Sequence, residues 1–321
     1  MNLSFKKDLL KIFDKNIFFK STFLKGVFMG ITDMIPGISG GTIALLLGIY
    51  YKFLTSIENI NFKALLKLDV KKFFLNSDFK FLIAIFSGML FSFIFFSKAL
   101  SFLLSKPFTR EILFSFFLGL VLTSIYFLLK DLKITSKSIL LIILGTIISF
   151  ALSYFSNSHL SIYLDLPIKL FISGLIAIFA MLLPGISGSF MFVLFGVYPI
   201  IISALSNITN FENIKILAFV FLGILLGFLL FPRVILFFLN KFYSSVMSFL
   251  TGLMIGSLYV LWPFWSYTQV FMKDNNILIC DRIKFPKVFS LEFIISFIFI
   301  LLGFLIIFKI KQISEQKNIK K

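Results

Sequence analysis

Apolar residues fill this chain in long runs separated by short polar segments that carry lysines. Runs at about 80–104, 111–129, 138–155, 214–239, 244–265 and 289–309 are each long enough, as helices, to cross a hydrocarbon core of roughly 30 Å. Two further apolar stretches, about 22–57 and 168–205, are longer and hold a helix breaker near the middle, Pro36-Gly37 and Pro184-Gly185. Residues 1–20 set Lys6, Lys7, Lys11, Lys15 and Lys20 among Leu, Ile and Phe, which predicts an amphipathic helix lying on a membrane surface. The stretch 58–80 and the link holding His159 and Asp165 are polar, and the end is a basic tail with Lys311, Lys317, Lys320 and Lys321.

The pattern repeats. At an offset of 148 residues Gly26 pairs with Gly174, Pro36 with Pro184, Gly37 with Gly185, Ser39 with Ser187, Gly40 with Gly188, Gly48 with Gly196, Tyr50 with Tyr198 and Asn59 with Asn207. Further on, small insertions shift the register: Gly88 matches Gly223, Lys98 matches Arg233, Gly119 matches Gly252, and Ser124-Ile125-Tyr126 matches Ser257-Leu258-Tyr259. A colinear series of this kind reads as an internal duplication. The predicted organisation is one membrane domain of two repeats, 21–156 and 157–310, followed by a tail, 311–321. Each repeat is one broken element followed by three helices.

Charge decides how the broken elements sit. If each dips in and returns to its own side, with the N-terminus cytoplasmic, 20 Lys and Arg fall inside and 8 outside; if each crosses, the split is 15 to 13. The positive-inside rule favours the first. Three crossings per repeat is an odd number, so the second repeat is inverted. The hairpins then enter from opposite sides and their tips meet near the midplane, the architecture of transporters built from broken helices. The expected fold is an all-α polytopic membrane protein of two inverted repeats, each a re-entrant hairpin plus three transmembrane helices, with both termini cytoplasmic.

Composition supports this reading: 59% of the 321 residues are hydrophobic and 14% charged, against about a quarter charged in soluble domains. The net charge of +17 is carried by loops and tails, so anionic headgroups and topology explain it better than nucleic acid. Lysines interrupt the N-terminus, so no cleaved secretory signal is expected. Cys280 is the one cysteine and can form no internal disulfide. No His, Cys and carboxylate cluster has metal-ligand spacing, no nucleophile sits near His159, and no Walker or Rossmann pattern occurs, which argues against an enzyme, a cofactor or direct use of nucleotide.

The candidate chemistry lies at the two tips. Pro36 lacks an N–H and ends the first limb; Gly37, Gly40 and Gly41 permit close backbone approach, and Ser39 and Thr42 offer hydroxyls. Pro184, Gly185, Ser187, Gly188 and Ser189 form the second tip. Free N–H groups where each return limb begins suit an anion; the alternative is a simple packing kink. Asp33, whose counterpart is Met181, is an intramembrane carboxylate and a candidate for coupling to H⁺ or Na⁺, or else a helix cap. Lys98 and Arg233 interrupt apolar runs at equivalent places and could hold phosphate oxygens, or snorkel to the interfaces. Arg110 and Glu111 read as an interfacial pair or part of a headgroup site, and Trp262, Trp265 and Tyr267 as belt anchors.

The segments Gly30-Ile31-Thr32-Asp33-Met34-Ile35-Pro36-Gly37-Ile38-Ser39-Gly40-Gly41-Thr42 and Leu183-Pro184-Gly185-Ile186-Ser187-Gly188-Ser189, each followed by Gly-x-Tyr at Gly48–Tyr50 and Gly196–Tyr198, resemble the DUF368 family of bacterial and archaeal membrane proteins, the polyprenyl-phosphate transporters. The second motif departs from the pattern by ending Gly188-Ser189. The resemblance covers nearly the whole chain. It implies return of undecaprenyl phosphate from the outer to the cytoplasmic leaflet for reuse in envelope synthesis. A secondary transporter or channel for a small anion would use the same tips but need a water-filled route. A lipid-phosphate enzyme would need an acid–base or metal constellation.

Overall fold

The computed structural model describes residues 15–35, 39–60, 77–154, 165–206, 209–272, 275–284, 286 and 290–319. The expected surface helix over the first 14 residues, His159, and Pro36 with Gly37 lie outside these. Chain order gives α1 (Lys15–Asp33), α2 (Gly40–Leu46), α3 (Tyr50–Glu58), α4 (Ser77–Ser105), α5 (Pro107–Asp131) and α6 (Ser136–Tyr154). The second half follows with α7 (Leu166–Leu182), α8 (Gly188–Leu194), α9 (Tyr198–Ser206), α10 (Phe211–Ser257) and α11 (Leu291–Ile319). The molecule is an all-α polytopic membrane protein, with one two-stranded ribbon, β1 (Trp265–Met272) and β2 (Asn275–Ile283), in the connection before α11.

Among the described residues five helices are long and apolar enough to cross a membrane, α10 with 47 residues among them. At about 1.5 Å per residue α10 would be some 70 Å long, more than twice a hydrocarbon core. The backbone of Phe242 leaves helical geometry (φ −132°, ψ 45°) and divides α10 into two passes, 211–241 and 243–257. This agrees with the two runs read from the sequence, which part between 239 and 244, although no Pro or Gly marks the break at Phe242; only the far end differs, the helix stopping at Ser257 rather than near 265. The chain instead leaves the helix after Ser257 and enters the ribbon. Each repeat thus has three passes.

Small residues set the helix pairs. Gly26 of α1 lies on the backbone of Ile85, and Gly88 of α4 on that of Phe23 and Val27; Ser92 Oγ donates to the Val27 carbonyl at 2.7 Å. Later residues of α1 meet later residues of α4, so the two helices run parallel. Parallel neighbours require the chain to return to its starting face between them, which makes α1–α3 a re-entrant hairpin rather than a crossing. In the second repeat Gly174 meets Val220, Gly223 meets Phe171 and Gly227 meets Leu175 and Ile178, so α7 and the first pass of α10 are parallel too. With three crossings between the hairpins, the second repeat is inverted.

The remaining pairs join the two repeats. Gly119 of α5 packs on Ile300 and Gly303 of α11 on Phe116, while Gly145 of α6 packs on Phe249 and Gly252 of α10 on Ile142. The third helix of each repeat therefore rests on the second helix of the other. A Cβ at these crossings would strike a partner carbonyl, as expected where membrane helices associate through close backbone approach.

After each tip the return limb turns sharply: α2 and α3 are bent by 117°, α8 and α9 by 113°. Gly48 and Gly196 both take φ +66°. Gly48 N–H bonds Leu45 O at 3.1 Å and Ile49 N–H bonds Ala44 O at 2.9 Å. In the second repeat Gly196 N–H bonds Val193 O at 2.8 Å and Val197 N–H bonds Phe192 O at 3.0 Å. Left-handed geometry is cheap only for glycine, so one residue type fixes the same corner twice.

One sequence expectation for an aromatic side chain needs correction. Trp265 is no belt anchor: it is 9% exposed, stands edge-on to Tyr259, and donates from Nε1 to that residue's carbonyl at 3.3 Å. Arg110 is buried, its Nη1 donating to the Leu104 carbonyl at 3.4 Å.

Candidate functional site

The first tip begins where α1 ends. Asp33 reaches across the break, and its Oδ1 accepts the Gly40 N–H at 2.5 Å while Oδ2 is buried without a hydrogen-bond partner among the described residues. Gly40 lies so close to this carboxylate that any side chain there would displace it. Ser39 is the N-cap of α2, extended at φ −118° and ψ 145°, and its Oγ accepts the Thr42 N–H at 3.3 Å. Ser39, Gly40, Gly41 and Thr42 are all buried. The carboxylate and the capping hydroxyl thus satisfy N–H groups that the start of a helix leaves open.

The tips touch. Ser39 Oγ donates to the Leu183 carbonyl at 2.9 Å, Gly185 N–H donates to Thr42 Oγ1 at 2.9 Å, and Gly41 sits on the Leu182 carbonyl. Ile35 is fully buried among Phe114, Leu118, Val121 and Met254. This junction consists of backbone that hydrocarbon could not tolerate unless protein enclosed it.

The second tip is built differently. Gly185 takes φ +87° and lies on the backbone of Leu253, so neither its conformation nor its surroundings admit a side chain. Its carbonyl accepts from Ser149 Oγ at 3.3 Å. Ser187 precedes α8 in extended geometry but its hydroxyl makes no capping bond; it lies 3.0 Å from the Ser189 hydroxyl instead. Pro184 is buried, and Ser189 is exposed. A shallow, partly open recess lies here, with room for little more than one water, walled by Ser149, Leu152, Ser153, Gly185, Ile186, Ser187, Phe190 and Val260. Hydroxyls and the start of a helix without a carboxylate cap face this space, an arrangement able to receive hydrogen-bond acceptors.

The structure therefore brings together Asp33, Ser39, Gly40, Gly41, Thr42 and Gly185, with Ser187, Gly188 and Ser189 alongside. Among the described residues it does not bring Lys98 or Arg233 to the tips: both are exposed, on α4 and α10, without a hydrogen bond to any described tip residue. Ser149 and Ser153 escaped the sequence reading. Their signal was a row of small and hydroxyl residues, Gly145, Thr146, Ser149 and Ser153, three or four apart in an apolar helix, hence on one face. The polar ties of α3 also went unforeseen. Lys52 pairs with Asp78, whose Oδ2 accepts from Asn59 Nδ2 at 2.8 Å, and Tyr51 Oη donates to Asn240 Oδ1 at 2.9 Å.

Among the described residues no group of His, Cys, Asp and Glu is placed to hold a metal. The model of the VCA0040-like, undecaprenyl phosphate translocase-like family matches residues 29–279. A polyprenyl-phosphate transporter of Vibrio cholerae serotype O1 is 37% identical over 260 residues, 79% of this chain and 80% of its own. Another of Staphylococcus aureus is 37% identical over 252 residues, 75% of this chain and 85% of its own. No solved structure matches the chain.

Proposed function

Because the chain belongs to the undecaprenyl phosphate translocase-like family, we propose that it carries a polyprenyl phosphate between leaflets, returning it from the outer to the cytoplasmic side for reuse. Relatives named transporters rather than enzymes support transport without chemical change. The observation that carries the reading is the junction of the tips. Ser39, Thr42, Leu183 and Gly185 link two hairpins entering from opposite sides, and a small, mostly apolar recess bearing Ser149, Ser153 and Ser187 adjoins one of them. A lipid phosphate can leave its chain in lipid, but its head needs a substitute for water in a low-dielectric core. Ser149, Ser187, Ser189 and the backbone at Gly188 are that substitute at the second tip, with Gly37, Ser39, Gly40, Gly41 and Thr42 completing the cradle when the first hairpin shifts. Rocking of one repeat against the other exposes the tips to each side in turn.

In this reading Asp33 couples transport to H⁺ or Na⁺, since a buried carboxylate with one oxygen unpaired among the described residues is a place for a cation to bind and leave. Both termini are cytoplasmic. Reconstitution into liposomes with a labelled polyprenyl phosphate tests the whole: protein-dependent movement between leaflets is expected, and its absence, or transport of small anions instead, overturns it. Cysteine labelling in 58–80 tests orientation; labelling from the outside would reverse it.

A further inference from the structure

We infer that Lys98 and Arg233 are two leaflet-specific stations for the lipid phosphate, one on each side of the membrane; the inference rests on the transport reading above. Lys98 lies about 10 Å past the middle of α4, and Arg233 about 10 Å past the middle of the first pass of α10, at 1.5 Å per residue. They occupy equivalent places in the two repeats, and inversion of the repeats puts them in opposite leaflets. Both are exposed on faces that are otherwise apolar: Ile94, Phe95 and Phe102 surround Lys98 along α4, and Leu230, Val234 and Phe237 surround Arg233. Neither has an ion pair or hydrogen bond among the described residues.

A cation facing hydrocarbon is costly and usually buried or paired, yet here it occurs twice by symmetry. Depth suggests the partner. Gly30 of α1 meets Met89 and Ser92 of α4, and Ile178 of α7 meets Gly227 of α10. Extending these parallel registers sets Lys98 and Arg233 within about one or two turns of the first and second tips. A headgroup leaving the interface for the tips passes this depth while its chain stays in lipid. An ammonium or guanidinium there replaces part of its lost hydration by charge-assisted hydrogen bonds. Simple snorkelling towards the surface would require no headgroup.

The test uses the full-length protein reconstituted in one orientation in phosphatidylcholine vesicles, with a labelled short-chain polyprenyl phosphate added to one leaflet at a time. Lys98→Gln should raise the KM for substrate in the leaflet at the C-terminal end of α4 by about tenfold, the worth of one charge-assisted hydrogen bond, and leave the opposite KM unchanged. Arg233→Gln should show the reverse, and Lys98→Arg should restore wild-type KM. Unchanged KM values in both leaflets would make these residues interfacial anchors, and equal rises in both would make them part of one central site; either result overturns the proposal. A defect appearing only when anionic phosphatidylglycerol is added would overturn it too, since the bound lipid would then not be the substrate. Wild-type protein that moves no polyprenyl phosphate would instead defeat the transport reading. Thermal unfolding of each variant, expected to match wild type for exposed residues, separates binding from misfolding.

Discussion

The two hairpins share a plan and differ in chemistry. Corners at Gly48 and Gly196 are superimposable in φ, and both entry limbs lie parallel to the helix that follows. Yet the first hairpin is sealed and the second is open. Asp33 caps the first return limb, while Met181 holds the equivalent place in the second. Thr42 reaches across to Gly185, but its counterpart Phe190 walls a recess. Tyr50 is 3% exposed and Tyr198 37%. Tyr51 and Lys52 tie the first return limb to α10 and α4; Pro199 and Ile200 stand at those positions in the second and can make no such ties. Duplication thus supplied the geometry twice, and a few substitutions divided the labour between a fastened hairpin and a loose one.

The sharpest way to break this contrast is Met181→Asp, which gives the second tip the carboxylate of the first. Transport should fall by about 100-fold, since a buried like charge opposes the phosphate, with initial rates in proteoliposomes as the measure. Gly185→Ala should cost about 3 kcal/mol of stability, because the residue is left-handed and pressed on the Leu253 backbone. Gly48→Ala, where nothing lies near an added Cβ and only the backbone angle is at stake, should cost about 1 kcal/mol, and Gly196→Ala, at the same φ, the same; unequal losses in denaturant unfolding would show that the corners are not equivalent.

At position 33 two variants separate structure from coupling. Asp33→Ala leaves the Gly40 N–H buried and unpaired and should destabilise by about 2 kcal/mol. Asp33→Asn keeps an acceptor for it, so stability should hold while transport ceases to respond to an imposed H⁺ or Na⁺ gradient; a persisting response removes Asp33 from coupling. The smallest effect is expected at the ties: Tyr51→Phe should cost roughly 1 kcal/mol and ease movement of the first hairpin, read as faster solvent accessibility of cysteines placed near Asn59.

Much of the fold was legible because membranes leave few choices. Apolar run length fixed the crossings, and breakers that need enclosure marked the tips. The offset between Pro36 and Pro184 revealed the repeat, and lysines in loops indicated re-entry. The tips were legible as a place, since Ser39, Thr42 and Gly185 do meet there. The inequality of the tips was harder to read. It depends on which hydroxyl faces which backbone N–H or carbonyl across 143 or 144 residues, and pattern along one chain carries no such pairing. The break in α10 was legible, since the apolar runs part between 239 and 244 around Asn240 and Lys241. The ribbon after Ser257 was missed because its residues alternate polar and apolar over too short a span to stand out beside membrane helices.

The crossing of α5 with α11 bears on how the protein is made. Gly119 waits for Ile300, about 180 residues further along, which at ribosomal rates of about 5–20 residues per second is roughly 10–40 s. During that interval the small-residue face of α5 is covered by lipid or by whatever insertion machinery holds it, and neither half can be finished before the other. A chain stopped before residue 290 would leave that glycine face exposed in the bilayer, a mark by which membrane quality control could tell an incomplete molecule from a complete one.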